Sequence, residues 1–491
     1  MALLNTNIGP ERVQVFDVPI GTVQIAGAAT SITAFLISTS LVGAPVNVPT
    51  PITDLATFVN TFGGPDDVDF DAYYAVEGYY NNAGSGATAI IVNVGTSPTA
   101  NSFIGSASAG TGLRALDAID DLGLVCIPGL PLAMAWLVHP ALVDYSLVVR
   151  AEFGATLSTT FSLLAMPKEI ASANIDQLVH TTKFISKAGT GPYTVNVEDV
   201  VSGGTADLSM VTPGMLLENS SGSFKAVISA VVSGAGANLT ILTDPASNFS
   251  AGDNVLLKMP SAVDYKDKVV NTPSRVAAWY YNNLIVNDES ASALPGAVKA
   301  VDPVGHVAGI MGRIDANIAI GGVSHAPAGI QFAGIAGILG LSLAISERVD
   351  AAPLRLAFIN RITSFPASGN IVFGGYTAGG SAVTADEQLI QVMRTLQYIK
   401  GSLERGLRGF LWENFSPVTQ SQVEKAILSF LRNNSYLFPA GLPEASQFKV
   451  ISVEPTQDEL DQGLLRIRVQ VRPNKAVRFI EIALEFPIPT A

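Results

Sequence analysis

The chain has 491 residues, of which 48% are hydrophobic and only 14% charged, well under the roughly one quarter usual in a soluble protein. Its length suits about three domains, and so little charge points either to a Gly/Ala/Val-rich fold with a modest surface or to a surface that largely faces other copies of the chain. A net charge of −13 argues against nucleic-acid binding, which needs Lys and Arg to displace counterions from phosphates. The lone cysteine, Cys126, excludes an internal disulfide framework and reads as a small buried hydrophobe.

The opening residues MALLNTNIGPER carry no basic region and no long apolar run, so no secretory signal is expected. Residues 11–29 alternate loosely (Val13, Val15, Val18, then Val23 and Ile25) around Pro19-Ile20-Gly21, which predicts two short extended segments, the first an arm. The β-branched run 30–42 predicts a buried strand. Thr53 or Asp54 caps a short predicted helix carrying Leu55, Phe58 and Val59, stopped by Gly63-Gly64. Residues 72–83 place Tyr73, Val76, Tyr79 and Tyr80 on one helical face, and 87–94 reads as a buried strand. Leu113, Leu116 and Ile119 set a helix leading into a strand at 122–127. Strand and helix thus alternate, as in an α/β layer structure.

Between about 188 and 258 short β-branched runs are separated by Gly, Ser, Asn and Pro, with no helical period. That texture predicts a small all-β module, and α/β texture on both flanks makes it an insertion into a larger domain. A second α/β stretch runs from about 268 to 362. Thr384 and Glu387 match a capping box ahead of a helix carrying Leu389, Ile390, Met393, Leu396, Ile399, Leu403, Leu407 and Phe410. Ser416-Pro417 opens another, with Val423, Ile427, Phe430 and Leu431 inward. QFKVISVE, LLRIRVQV and AVRFIEIALEF predict strands. Ile467, Val469 and Val471 alternate with Arg466, Arg468 and Gln470, giving one buried and one wet face.

Val18–Thr53, Leu122–Val143 and Ala316–Ser346 lack Asp, Glu, Lys and Arg. The first is rich in Thr, Ser and Pro, and the second carries Pro128, Pro131, His139 and Pro140. The third contains the Gly-rich run Ala328–Ser346, which has no flanking aromatic anchors and reads as a buried helix rather than a membrane span.

Motifs for chemistry are missing. His139, His180, His306 and His325 have no second ligand at helical or hairpin spacing, and there is no HExxH, CxxC, G-x-S-x-G or Walker motif, the usual signatures of zinc, redox, acyl-transfer and phosphate sites. Gly110-Thr-Gly112-Leu-Arg-Ala fits GxGxxA but lacks a preceding strand. Asp66, Asp67, Asp69 and Asp71 lack the Gly and terminal Glu of a calcium loop and read as a solvated loop. Asp117, Asp120 and Asp121 read as the exposed side and end of a helix. No catalytic, cofactor or metal residue is expected. The alternatives are an α/β hydrolase-like enzyme in the middle region, using His306 or His325, or another self-assembling array or membrane-associated structural protein.

Several segments, in order, resemble contractile tail sheath proteins. Thr30-Ser31, Ala34-Phe35, Ala44-Pro45, Pro49, Phe58 and Phe62-Gly63-Gly64 are similar to the family's TS-x-x-AF, P and FGG run, and Tyr79-Tyr80-Asn81-Asn82 sits where the family has FF-x-NGG. GLRALDAIDDLGLVCIPG, AAWYYNNLIVND (277–288), VGHVAGIMGRIDA (304–316), FLWENFSPVTQSQVEKAILSFLRNN and VRFIEIALEF resemble later segments of the family. The early PGVY reads Gly9-Pro10-Glu11-Arg12-Val13 here, the middle YYP reads Tyr280-Tyr281-Asn282, and a later PA motif appears as Ala326-Pro327-Ala328. The resemblance covers most of the chain outside 188–258.

It implies an α/β (α+β mixed) multidomain fold. A subtilisin-like α/β middle domain without active site would lie within an α/β region over 25–187 and 259–365. An inserted all-β outer module would take 188–258 and a tube-proximal C-terminal α/β domain 366–475, with extended arms at 1–24 and 476–491. The function implied is structural, not enzymatic: a subunit that polymerises helically, in stacked hexameric rings, around an inner tail tube protein and contracts to drive the tube through a target envelope. Baseplate and tail terminator proteins are implied partners, without nucleic acid or membrane contact. The implied location is the tail of a virion or injection particle, the subunit being made in the host bacterial cytoplasm. Strand exchange between neighbours is expected through Val13, Val15, Phe16 and Val18 and through Val477, Phe479, Ile480, Ile482 and Leu484.

Overall fold

The computed structural model describes residues 24–84, 86–151, 157–233, 237–245, 248–453 and 456–478. The first apolar runs become strands β1 (Thr33–Ile37), β2 (Thr50–Ile52), β3 (Ala89–Asn93), β4 (Leu124–Cys126) and β5 (Phe161–Ala165). The Gly/Ser-punctuated region gives β6 (Gln177–Ala188), β7 (Tyr193–Asp199), β8 (Leu216–Asn219), β9 (Lys225–Val232), β10 (Asn238–Ile241) and β11 (Asn254–Met259). Then come β12 (Ala277–Tyr281), β13 (Leu284–Asn287), β14 (Val298–Val301), β15 (Gly340–Leu341), β16 (Ile359–Phe365), β17 (Gly369–Phe373), β18 (Phe448–Ser452) and β19 (Ile467–Val471).

Among the described residues, eight strands form one sheet in the order β17-β16-β12-β5-β4-β1-β3-β2. It is parallel except at its edges, where β17 and β2 run antiparallel to their neighbours. Strands β1, β3, β4, β5 and β12 are buried at every position. Continuous apolar runs, not alternation, are what a parallel sheet covered on both faces requires. Leu36, Val92, Val125, Leu164 and Trp279 point into one core, and Phe35, Ile91, Cys126, Leu163 and Tyr280 into the other.

The longer helices are α1 (Leu55–Phe62), α2 (Ala72–Asn82), α3 (Leu132–Asp144), α4 (Val304–Ala316), α5 (Ile390–Gly406) and α6 (Pro417–Asn433). Asp54 caps α1 by accepting from the Thr57 N–H at 2.7 Å, and its inward residues are Phe58 and Phe62, with Val59 turned outward. Helices α2 and α4 lie side by side over the second core. A β-carbon at Gly305 would overlap the backbone of Ala75, and one at Gly309 that of Tyr79. The glycines of VGHVAGIMG therefore set how closely the two helices approach. Helix α3 and the turn after it, Leu132–Val149, are long and apolar enough to cross a bilayer, but Ala135, Val138 and Leu142 are fully buried in the first core.

Strands β6 to β11 close into a barrel in the order β10-β7-β6-β11-β8-β9. Its interior is filled by Val195, Leu217, Ile228, Leu239, Val255 and Leu257. The chain enters the barrel from β5 and returns to β12, which is paired with β5 in the sheet. Barrel structure begins at Gln177, paired with Met259, rather than near 188. The mixed polar face of QLVHTTKFISKA concealed that first strand.

The helix expected over Leu113, Leu116 and Ile119 is a 3-10 helix, Gly112–Ala118, with Ile119 at its end, and their three-residue spacing matches three residues per turn. One further expectation is corrected. Ala328–Ser346 is not a helix. Its backbone runs beside the edge strand β17 through Gly329 N to Val372 O, Val372 N to Ala333 O and Ile335 N to Asn370 O, at 2.9 to 3.0 Å.

The Thr384–Glu387 capping box forms, with Glu387 accepting from the Thr384 N–H at 3.0 Å, yet it closes a turn ahead of α5, which starts at Ile390. Ile390 reaches the second sheet core, whereas Ile399 joins Val423, Ile427, Phe430, Leu431 and Phe448 in a third core. Strands β18 and β19 pair antiparallel over that third core.

Candidate functional site

In an open α/β sheet, ligands bind beyond the carboxyl ends of the strands, where the strand order reverses. Here that point lies between β1 and β4, and protein groups fill it. Gly129, just past β4, is packed against the Phe70 carbonyl, and its N–H donates to the Asp302 carboxylate. Asp302 also accepts from the Val304 N–H at 3.0 Å. Asp71 takes the ammonium groups of Lys168 and, at 3.1 Å, of Lys299. Ser38 donates to Asp69 at 2.6 Å. Burial of Asp302 pushes its carboxyl up to about 7. Cys126 beneath is fully buried, and that burial holds its thiol well above the ordinary range, so it does not supply a thiolate. Sequence reading missed this network, because residues 71, 168, 299 and 302 meet only through the sheet topology.

The histidines stand apart. His139 Nδ1 lies 2.9 Å from the Tyr265 hydroxyl, and the ring meets Trp279 edge-on. Burial lowers its pKa to about 3. His306 sits between α4 and α2 over Gly78, and burial lowers it to about 4. His325 Nδ1 is 2.8 Å from the Ala326 carbonyl, and His180 lies on β6. Among the described residues none is hydrogen-bonded to a Ser, Thr or Cys side chain, the pairing a nucleophile needs.

The acidic run disperses. Asp66 accepts from the Ala291 N–H at 2.9 Å, Asp67 from the Gly64 N–H at 3.1 Å, and Asp69 and Asp71 turn to the crevice. Among the described residues no three His, Cys, Asp or Glu side chains are placed to share a metal ion. Gly112, in the GxGxxA match, donates its N–H to Asn47 at 2.9 Å, so that amide is engaged within the fold.

The C-terminal unit has a different character. β18 and β19 form a two-stranded sheet whose outer edges carry no strand among the described residues. Two strands alone are marginal in water, and open edges are templates for pairing. Beneath them a cavity of about 460 Å³ is lined by Leu403, Phe410, Val423, Ile467 and Val469, with Trp412 at its rim. Trp412 is fully exposed at φ 71°, beside exposed Leu411, Phe415 and Val418. Of the expected strand-exchange residues, Val477 is 79% exposed. Val13, Val15, Phe16, Val18, Phe479, Ile480, Ile482 and Leu484 lie outside the described residues.

No protein-family profile matches the sequence, and no curated protein matches it. Solved structures do. A chain of the anti-feeding prophage (AFP) helical sheath in its contracted state matches with a TM-score of 0.62 over 97% of this chain and 99% of its own, at 18% identity. The chain has the fold of a contractile sheath subunit. A chain of the AFP baseplate matches with a TM-score of 0.61 over 99% of this chain and 100% of its own, at 16% identity. The PVC sheath complex of an extracellular contractile injection system, also contracted, matches with a TM-score of 0.59 over 98% of each chain, at 14% identity. Coverage this complete takes in the barrel as well as the sheet and the C-terminal unit.

Proposed function

We propose that this chain is the structural subunit of a contractile sheath, polymerising helically around an inner tube and contracting to drive that tube through a target envelope. The observation that carries the reading is the end-to-end likeness to the AFP sheath chain, TM-score 0.62 over 97% of this chain. The crevice filled by Asp71, Lys168 and Asp302 supports a structural over an enzymatic role.

On this reading the subunits stack as hexameric rings, meet baseplate and terminator proteins at the ends, and reside in the tail of a virion or injection particle after synthesis in the host bacterial cytoplasm. The sheet region, 25–176 with 260–365, is a subtilisin-like scaffold without active site. The barrel, 177–259, is its outer decoration, and 366–475 lies nearest the tube. The arms, 1–24 and 476–491, exchange strands with neighbours through Val13, Val15, Phe16 and Val18 and through Val477, Phe479, Ile480, Ile482 and Leu484. Open strand edges on β18 and β19 are suitable receptors for strand addition. A subunit joined through two different patches builds an open helix, and contraction is then a switch between two packings of the same rigid bodies.

Negative-stain electron microscopy of the purified chain tests the reading. Hollow, cross-striated tubes are expected, together with folded, dispersed subunits for a chain lacking residues 1–18. Dispersed particles from the full chain, alone and with a tube protein, would refute the assembly reading. Tubes from the truncated chain would refute the front arm as a tether.

A further inference from the structure

Basic residues are scarce here and unevenly spread. Residues 390–491 carry twelve Lys and Arg against ten Asp and Glu, whereas residues 1–389 carry sixteen against thirty-one. Most cations have carboxylate partners, among them Lys168, Lys225, Arg275, Arg394 and Arg432.

The outer face of β18 and β19 departs from that habit. The strand register turns Ile467, Val469 and Val471 toward the helices and Arg468 and Gln470 outward, with Lys449 opposite Gln470. Arg466 and Arg472 continue the outward row, and Arg466 is held 3.1 Å from Glu459. Lys449, Arg468 and Arg472 are exposed and have no carboxylate partner among the described residues. Lys449, opposite Gln470, is the diagonal neighbour of both Arg468 and Arg472, about 7–8 Å from each, and like charges at such spacing repel. An apposed acidic surface removes that repulsion and fixes register.

We propose that this face is an electrostatic contact for the acidic surface of a second copy of the chain, with Lys449, Arg468 and Arg472 as its anchors. The inference rests on the self-assembling reading above. The partner is argued from charge: residues 1–389 of any copy bring a large acidic excess, and in a helical array each copy offers that surface to the same neighbouring patch.

The test compares the full chain with the triple variant K449E/R468E/R472E and the neutral K449Q/R468Q/R472Q, by sedimentation and electron microscopy across a salt series. For the wild type the concentration needed for assembly is expected to rise about tenfold from low to physiological salt, as the Debye length shortens. The Glu variant is expected to keep its thermal unfolding midpoint yet remain dispersed, with the Gln variant intermediate. In mixed isotope-labelled and unlabelled assemblies, carbodiimide is expected to couple Lys449 to a carboxylate within residues 1–389 of another copy. A Glu variant that assembles at the wild-type concentration and salt dependence overturns the contact, even if its basic face binds some other acidic protein. Coupling of Lys449 only within its own copy overturns it too. Failure of the wild type to assemble instead overturns the sheath reading and this inference with it.

Discussion

Arg394 on α5 grips Asp315 on α4 with two hydrogen bonds, Nη1 to Oδ1 at 2.8 Å and Nη2 to Oδ2 at 2.6 Å, and the same guanidinium donates to the Thr30 carbonyl at 2.9 Å. The two side chains are only 5% and 4% exposed. This pair fixes the helix that leads from the sheet region into the C-terminal unit. Removing one partner leaves a buried charge, so Asp315→Ala is expected to destabilise the subunit by about 3–5 kcal/mol. The apolar double variant D315L/R394M is expected to lose much less. Urea unfolding of the wild type, both single variants and the double variant checks this, and an Asp315→Ala chain as stable as wild type would remove the pair from the account.

The glycines of α4 make a sharper contrast. Gly→Ala in a helix ordinarily stabilises by about 1 kcal/mol. At Gly305 the added carbon meets the Ala75 backbone, whereas at Gly312 it meets the Ser31 β-carbon at an ordinary 3.5 Å. Gly305→Ala is therefore expected to destabilise by about 1–3 kcal/mol through overpacking, and Gly312→Ala to be neutral or stabilising. Equal effects in thermal unfolding would mean that the α2–α4 approach is not tight.

Acid response follows from three buried groups. The folded-state values for His139 and His306, about 3 and about 4, lie below the ordinary value of about 6.5. The unfolded chain takes up these protons first. Their contribution is full above about pH 6.5 and is lost as pH falls, at about 1.4 kcal/mol per unit for each histidine. Asp302, raised to about 7, opposes them: its contribution is full below about pH 4 and is lost as pH rises toward 7. Asp302→Asn removes that opposition, so stability is expected to fall more steeply on acidification between about pH 6.5 and 4. A flatter profile for the variant, measured by urea unfolding, would contradict this assignment.

The barrel should be separable only along its own hydrogen bonds. Gln177 and Met259 are paired at its base, so replacing 177–259 by a short Gly/Ser link joins ends that already lie together. That variant is expected to stay soluble and assemble. Removing only 188–258 strands β6 without β7 and β11, and an unpaired strand invites aggregation. Soluble yield and microscopy of the two deletions distinguish these outcomes. Insolubility of both would make the barrel part of the essential core, in line with the continuous cluster that links Leu132 and Met215.

Local chemistry made much of this legible in the sequence. Asp54, Gly63 and Ser416-Pro417 mark helix ends because caps and breakers act on the nearest backbone groups. The runs at 33–37 and 89–93 read as buried strands because both faces of a parallel sheet are covered. What the sequence did not decide are relations between distant segments. Whether 113–119 coils as α or 3-10 depends on where Leu113 and Leu116 find partners. Whether Ala328–Ser346 becomes a helix depends on β17 offering an open edge. That β6 belongs to the barrel is fixed by its pairing with β11, and that Asp71, Lys168 and Asp302 fill the crevice is fixed by strand order. Each of these turns on hydrogen bonds or burial supplied by residues far away in the chain, and only the tertiary structure brings those residues within reach.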